Sequence, residues 1–466
     1  MSSRATASIL GFASVVAALL LCGCANWSGD VARYQKVLGE ARTGTQPSAF
    51  DPSAPLPLAR AMQLANADNE AIASRGEDYI QALAEKMRES GTFLPTLTLE
   101  PSYTLSQSNG ISFPGAVGTA SVGSSSHQFS LPFNASATGS LSNASNIQAA
   151  DRTADQRALL LLDERETILL EVVQSYYAAL KDERQSGVYE HSMQLKAEKV
   201  RDQQARLKLG NVRPLDLAQS QSDLAGTQAS LIQSQTDAAN ARSALARLMA
   251  VPAVRGVLTD RFDPPAGLVS LDRWQQQAAG TRQDLLAAAR SSQAARFGVD
   301  AAIREYFPSV SLNFQVLLYN DPSSPTTWTN VLSANIPLFS ALSIEADVRK
   351  AWSVYRQALL NESQTRRLVT DDVNENYQNL TGSRLQVAKL EIEVRASERA
   401  YDLSERSYQL GSVSNIDRLT EQDNLLAAQL NLVTGEFNAK RYYLALRRAA
   451  GNLSAVLTDP VAIAAR

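Results

Sequence analysis

Leu209-Gly210-Asn211-Val212-Arg213-Pro214-Leu215-Asp216 and Leu410-Gly411-Ser412-Val413-Ser414-Asn415-Ile416-Asp417 carry leucine, glycine, valine and aspartate at matching places, about 200 residues apart. The same spacing recurs on both sides. Downstream, Leu217, Leu224, Leu231, Ala238 and Leu245 fall every seven residues, against Arg418, Leu425, Leu432, Ala439 and Leu446. Upstream, Val173-x-x-x-Tyr177-x-x-Leu180 matches Val373-x-x-x-Tyr377-x-x-Leu380. Earlier still, Phe93-Leu94-Pro95-Thr96-Leu97-Thr98-Leu99 matches Tyr306-Phe307-Pro308-Ser309-Val310-Ser311-Leu312. Four anchors in one order identify a tandem repeat, with a period far too long for a solenoid.

Each unit has one plan. Helix is predicted over about 58–90 and 270–305, then two alternating stretches, then a very long helix over 145–208 and 343–409. A glycine break and a second long helix, 214–250 and 415–450, close the unit. At 1.5 Å per residue the longest helices run roughly 90–100 Å, so they need partners along their length. The seven-residue spacing implies a left-handed antiparallel coiled coil. Its remaining seam positions are small or polar (Ser220, Thr227, Ser234 and Ala241; Ala428, Gly435 and Ala449), which suits close packing in a thin wall. Gln221, Gln228 and Gln235 keep an adjacent face wet. An ordinary soluble coiled coil would explain the helices equally well, but not the strands.

Residues 309–319 alternate Val310, Leu312, Phe314, Val316 and Leu318 against Ser309, Ser311, Asn313, Gln315 and Tyr319, with Leu317 the exception. Residues 96–106 do the same, setting Leu97, Leu99, Tyr103 and Leu105 against Ser, Thr and Glu100. Their expected partners are 127–138, with Phe129, Leu131, Phe133, Ala135 and Ala137 on one face, and 329–339, with Leu332, Ala334, Ile336 and Leu338. The intervening stretches, 107–126 and 320–328, read as Ser/Gly/Pro/Asn loops. Alternation over ten residues with an uncharged polar face suits a membrane barrel strand, although any one strand also fits a half-buried soluble sheet. Four strands cannot close a barrel and at least eight are needed, so copies of the chain must share one.

Met1 to Gly23 reads as a secretory signal, with Arg4 in a positive n-region and an apolar run from Ile9 to Leu21 too short to span a bilayer. It ends Leu21-Cys22-Gly23-Cys24, similar to a bacterial lipobox in which Cys24 becomes the lipidated N-terminus. Ala25, where Asp would retain the protein at the inner membrane, points to the outer membrane. An ordinary signal peptide with two incidental cysteines is the competing reading. One such anchor holds a chain on a membrane without spanning it. The expected division is signal peptide 1–23, lipid-anchored linker 24–57, first unit 58–253, linker 254–269, second unit 270–453 and tail 454–466.

Composition narrows the function classes. Among 466 residues, 44 Lys and Arg stand against 47 Asp and Glu, giving a formal charge of −3 and no basic surplus for nucleic acid. Two histidines, His127 and His191, and two cysteines leave little raw material for a metal centre or for Ser/His or Cys/His catalysis. No enzyme, metal site or cofactor is expected beyond the lipid on Cys24. His191 reads as a solvated helix residue and His127 as a strand-end residue, while Tyr319 and Trp328 are candidate interfacial anchors.

From about Leu56 to Leu453 the chain resembles the TolC-like outer-membrane efflux channels, in their lipid-anchored branch. The residues that carry this are the Leu58-Ala59-Arg60-Ala61 helix running to Phe93-Leu94-Pro95, its counterpart from Asp284-Leu285 to Tyr306-Phe307-Pro308, and the strand-to-helix Pro337-Leu338-Phe339. Leu131-Pro132-Phe133 is a weaker form of that last motif. The Asp-Gly-Gly that often follows it is replaced by Ser340-Ala341-Leu342 and Asn134-Ala135-Ser136. The resemblance implies a mainly α fold with a membrane β-barrel: a homotrimer, four strands per chain in one shared twelve-stranded barrel, and twelve helices in a periplasmic tunnel. It implies passive conduction in the outer membrane of a Gram-negative bacterium, fed by a periplasmic adaptor and an inner-membrane pump. A type I protein-secretion conduit, or a lipid-anchored periplasmic scaffold, are the alternatives; the cargo is left open.

Leu209, Gly210, Asn211, Val212, Leu410, Gly411, Ser412 and Val413 are the expected adaptor-docking tip, although Gly210 and Gly411 also suit plain C-caps. Asp216 and Asp417 sit one turn into the next helix, where a carboxylate offsets the helix dipole and Ser414-x-x-Asp417 fits a capping box. Pro214 at the first helical position supports the same helix start. An acidic pore constriction is the other reading of the aspartates. By resemblance Asp417 matches that ring and Tyr408 a gate tyrosine.

Overall fold

The computed structural model describes residues 50–108, 124–260, 262–265, 267, 269–321 and 327–458. The signal peptide and Cys24 lie outside the described residues, as does most of the loop 107–126. The first repeat comprises β1 (Leu56–Pro57), α1 (Leu58–Asp68), α2 (Glu70–Gly91), β2 (Thr96–Leu99), β3 (Ser102–Ser108), β4 (Ser124–Gly139), α3 (Leu141–Lys208) and α4 (Pro214–Leu248). The second comprises β5 (Leu258–Thr259), α5 (Leu271–Thr281), α6 (Gln283–Arg304), β6 (Ser309–Asp321), β7 (Thr327–Asn335), α7 (Ser343–Gln409), α8 (Asn415–Ala449) and a terminal turn, α9 (Ala455–Thr458). Helix lengths recur as 11, 22, 68 and 35 residues, then 11, 22, 67 and 35.

The first helix of each repeat, expected to be continuous, is broken at a single residue. Asn69 adopts an extended conformation, its amide donating to Leu248 O at 2.9 Å and its oxygen accepting from Ala71 N at 2.9 Å. Arg282 breaks the counterpart, its guanidinium donating to Asp284, Asp372 and Ala449 O. These are tertiary anchors, which helical periodicity does not report.

The chain forms two compact units, each drawing on both repeats. One comprises the described residues up to Tyr79, Ala158–Ala287, and Ser363 onwards. Its core gathers Val173, Tyr176, Tyr177 and Leu180 of α3, Leu245 and Met249 around the end of α4, Val373 and Leu380 of α7, and Leu444 and Leu446 of α8. Each such buried side chain contributes about 1.5–3 kcal/mol. The Tyr176 hydroxyl donates to Leu56 O and Thr259 O at 2.7 and 3.0 Å, tying down the parallel β1–β5 pair that opens the two repeats. Along α4, Ser220, Thr227, Leu231, Ser234 and Ala238 are buried while Gln221, Gln228 and Gln235 are exposed, as the seven-residue pattern requires.

The other unit, Ile80–Arg157 and Ala288–Glu362, holds one antiparallel sheet in the order β2/β3–β4–β6–β7. Pro101 splits the expected first strand into β2 and β3, since it has no N–H to give the ladder, but the register runs unbroken across it. Leu97, Leu99, Tyr103 and Leu105 share register rows with Ala135, Phe133, Phe129 and His127. Those rows continue to Phe314 and Val316, then to Asn330 and Trp328. The opposite rows hold Thr98, Asn134, Gln315 and Thr329, with Ser102–Ser130 and Ser311–Ser333 hydroxyl bonds at 2.6 and 2.7 Å.

Three strand expectations are corrected. A bulge opposite Leu131/Pro132 leaves Leu318 without a register partner and puts Tyr319 in the row of Leu131, not in the polar row. β7 ends at Asn335, because β6 begins only at Ser309 after Pro308; Ile336 and Leu338 therefore fall beyond the strand. Leu131-Pro132-Phe133 lies inside β4 and not at a strand-to-helix junction.

Helices α4 and α8 both end in a left-handed residue, Ala250 (φ 53°) and Gly451 (φ 68°). A Cβ on Gly451 would stand 2.7 Å from Thr281 O. Gly451→Ala should therefore destabilise by about 1–3 kcal/mol, whereas Ala250→Gly should be neutral or stabilise by up to about 1 kcal/mol. Thermal unfolding of the two variants in detergent checks this; equal shifts would contradict it.

Candidate functional site

Two features stand out: the paired helix reversals, and a sheet with an uncovered apolar face. At the first reversal Gly210 takes φ 75°, Asn211 N–H donates to Arg206 O, and Gly210 N–H to Leu207 O. At the second, Gly411 takes φ 74°, Ser412 N–H donates to Ser407 O, and Gly411 N–H to Tyr408 O. Both are Schellman caps, which is why glycine stands at each. The two turns line one open groove that includes Arg206, Asn211, Arg213, Gln409 and Ser412. Leu209 and Leu410 are 75% and 85% exposed, and Leu215 and Ile416, one turn on, are exposed as well. Val212 and Val413 are half-buried.

The two aspartates open their helices differently. Asp417 completes a capping box: its backbone N–H donates to Ser414 Oγ, and its carboxylate accepts from Ser414 N–H and Oγ–H. Asp417 stays exposed. Asp216 is buried and accepts two bonds from the Arg213 guanidinium, at 2.8 and 3.0 Å. The Arg213 hydrogen bonds and charge hold the Asp216 carboxyl below its ordinary range, against the opposing effect of burial.

Behind the turns lies a buried polar network that the motif reading missed. Asn415, 1% exposed, donates to Asp216 O at 3.1 Å and accepts from Gln203 at 3.1 Å and Arg418 at 2.9 Å. The Arg418 guanidinium reaches Glu405 and lies 5.0 Å over the Tyr408 ring. The expected gate tyrosine is thus a half-buried platform for arginine. Lys199 donates to Glu405 at 2.5 Å, and Lys196, 3% exposed, holds Asp223, Thr227 and Asp423. Burial raises the Asp223 carboxyl, and Lys196 only partly offsets this. One signal was present in the sequence: Arg418 occupies the heptad position that Leu217 fills in the first repeat.

On the sheet, Leu332, Trp328 and Leu105 of the apolar rows are 72%, 70% and 63% exposed. Tyr103 stacks on His127, its hydroxyl 3.0 Å from Nδ1. Among the described residues no cluster of His, Cys, Asp and Glu could hold a metal ion, and no helix is long and apolar enough to cross a membrane.

The outer membrane efflux protein family model matches residues 61–251 and 274–452. The outer membrane efflux protein BepC of Brucella suis biovar 1 (strain 1330) is 24% identical over 451 residues, covering 95% of this chain and 90% of its own. The CmeC outer membrane channel of Campylobacter jejuni superposes with a TM-score of 0.75 at 17% identity, over 85% of this chain and 86% of its own. The outer membrane protein VceC of Vibrio cholerae does so with 0.73 at 19% identity, over 85% and 96%.

The Arg213–Asp216 pair carries a pH signature. A depressed carboxylate stabilises fully above its unfolded pKa, and that contribution is lost as pH falls through the lower folded value. Protection of the amides at the Asp216 turn, relative to their intrinsic exchange, should therefore fall below about pH 4 in the native chain. Asp216→Asn should show no such step. Equal acid sensitivity in both would contradict the pairing.

Proposed function

The chain belongs to the outer membrane efflux protein family, and from that premise we propose that it is the outer-membrane conduit of a tripartite export assembly. Three copies pool their sheets into one twelve-stranded barrel, with the apolar rows toward lipid and the Ser, Thr, Asn and Gln rows toward the lumen. Their long helices, paired as two repeats per chain, continue that pore as a periplasmic tunnel. Cys24 carries the lipid that anchors the N-terminus. The observation that carries this reading is the sheet itself: one face uncovered and mostly apolar, the other mostly Ser, Thr, Asn and Gln, and both edge strands without a further partner in the described chain. Backbone groups left unpaired in hydrocarbon cost several kcal/mol each, so such edges require more strands.

The helix reversals are the surface offered to a periplasmic adaptor. Exposed Leu209 and Leu215 repeat as Leu410 and Ile416, so each chain presents the same apolar pair twice. A partner built on repeated hairpins could engage both. Transport is passive in this chain, and energy comes from the inner-membrane pump. Asp417, exposed at the helix start, contributes charge at the tunnel mouth in addition to its cap.

Purified protein added to a planar lipid bilayer should give stable unit conductance; a chain that never conducts and partitions into the aqueous phase contradicts the conduit. Leu209→Asp with Leu410→Asp should leave conductance intact, yet bring cells to within about twofold of the deletion strain across a susceptibility panel of drugs, solvents and metal ions. Normal export by this variant would overturn the docking assignment.

A further inference from the structure

The elbow that carries the chain from β7 into α7, Ile336-Pro337-Leu338-Phe339-Ser340-Ala341-Leu342, is locally adverse in three respects. Leu338 is 93% exposed, Phe339 85% and Leu342 69%. Ala341 and Leu342 both occupy the left-handed region, at φ 48° and 68°, a conformation a side chain adopts only at a cost. Leu342 also stands immediately before α7, where it offers no side-chain oxygen to the helix's free N–H groups. The turn is closed instead by Ser343, whose N–H and hydroxyl both donate to Ser340 O. Strain of this kind persists where surrounding structure over-determines it. The described chain leaves these three side chains uncovered.

The elbow continues directly from β7, an edge strand. At the other edge β2 is entered through Phe93 and Leu94, which are 44% and 64% exposed. The register puts both places at the same end of the sheet. Thr96 pairs Ser136, three residues before Gly139; Gly139 pairs Val310, and Ser309 pairs Asn335. β2 leads away from that end and β7 returns to it. Joining the two edges between copies therefore makes another antiparallel pair, and it sets the elbow of one copy beside the foot of β2 in the next. Within a single chain two strands separate these apolar clusters.

We propose that the Leu338-Phe339-Leu342 elbow is the seat for a second copy of this chain, receiving Phe93 and Leu94 of that copy. The inference rests on the shared-barrel reading and adds the side chains that join neighbours. It makes the strained turn a feature completed by assembly: the neighbour covers the apolar side chains and holds Ala341 and Leu342 in place. The joint is head-to-tail, and with the three copies of the shared barrel it closes a ring.

Full-length chain carrying Phe93→Cys and Leu338→Cys, treated in membranes with a short bis-maleimide, tests this. Chain-to-chain links ending at a closed ring are expected from the pair, and none from either single variant. Leu338→Ser with Phe339→Ser should shift at least tenfold more chain into monomer in mild detergent. A monomeric native chain would overturn the shared barrel itself. An oligomeric native chain whose cysteine pair gives no links overturns only the elbow assignment. So does a serine variant that stays oligomeric while losing membrane affinity, which would assign the elbow to lipid. Should the serine variant fail to accumulate, the cysteine pair, placed in otherwise native sequence, decides alone.

Discussion

An edge strand in hydrocarbon has no water to satisfy its outward N–H and C=O groups, and in the proposed barrel that constraint organises this molecule. The sheet β2/β3–β4–β6–β7 is too narrow to close, and its apolar rows cover nothing in the unit that holds it. A soluble protein would manage such a sheet with charges on its edges or a helix across its face. This one places Leu332, Trp328 and Leu105 in the open and lines most of the other face with hydroxyls and amides. We read the arrangement as calling for more strands beside it and lipid against it.

The helical unit solves a different problem. Long helices with a narrow, small-residue seam bury little apolar area per turn, so register between the repeats needs other means. We infer that the polar network supplies them. Asn415 joins α8 to α3 and α4 through Gln203 and Asp216 O, and Lys196 spans α3, α4 and α8 through Asp223 and Asp423. Ion pairs of this kind add little net stability relative to apolar packing, yet a wrong register would leave the buried Lys196 ammonium without a carboxylate, which disfavours it.

Most of this architecture was legible in the residues. The seven-residue leucine spacing placed α4 and α8 to within two residues of their ends, and α7 was read in full. The glycines at 210 and 411 marked both reversals because a Schellman cap needs a residue tolerant of positive φ. The exceptions share a cause. Asn69 and Arg282 break helices through bonds to distant backbone. The bulge at Leu318 and the early end of β7 depend on which strand lies alongside. Tertiary partners decide these points, and periodicity carries no record of them. At the reversals, the Ser414–Asp417 capping box was legible in sequence, while the Arg213 partner of Asp216 was not. Arg213 beside one and Ser414 beside the other set their different environments. Arg418 was visible as a charge at a leucine position, but its partners Glu405, Asn415 and Tyr408 become evident only once the hairpins are brought together.

The number of chains in one pore is the quantity on which the account turns. Native mass spectrometry of the particle released from membranes in mild detergent reads it directly. Three copies of the chain, holding together through removal of the detergent, is the predicted mass. A single chain with its four strands intact would contradict the account.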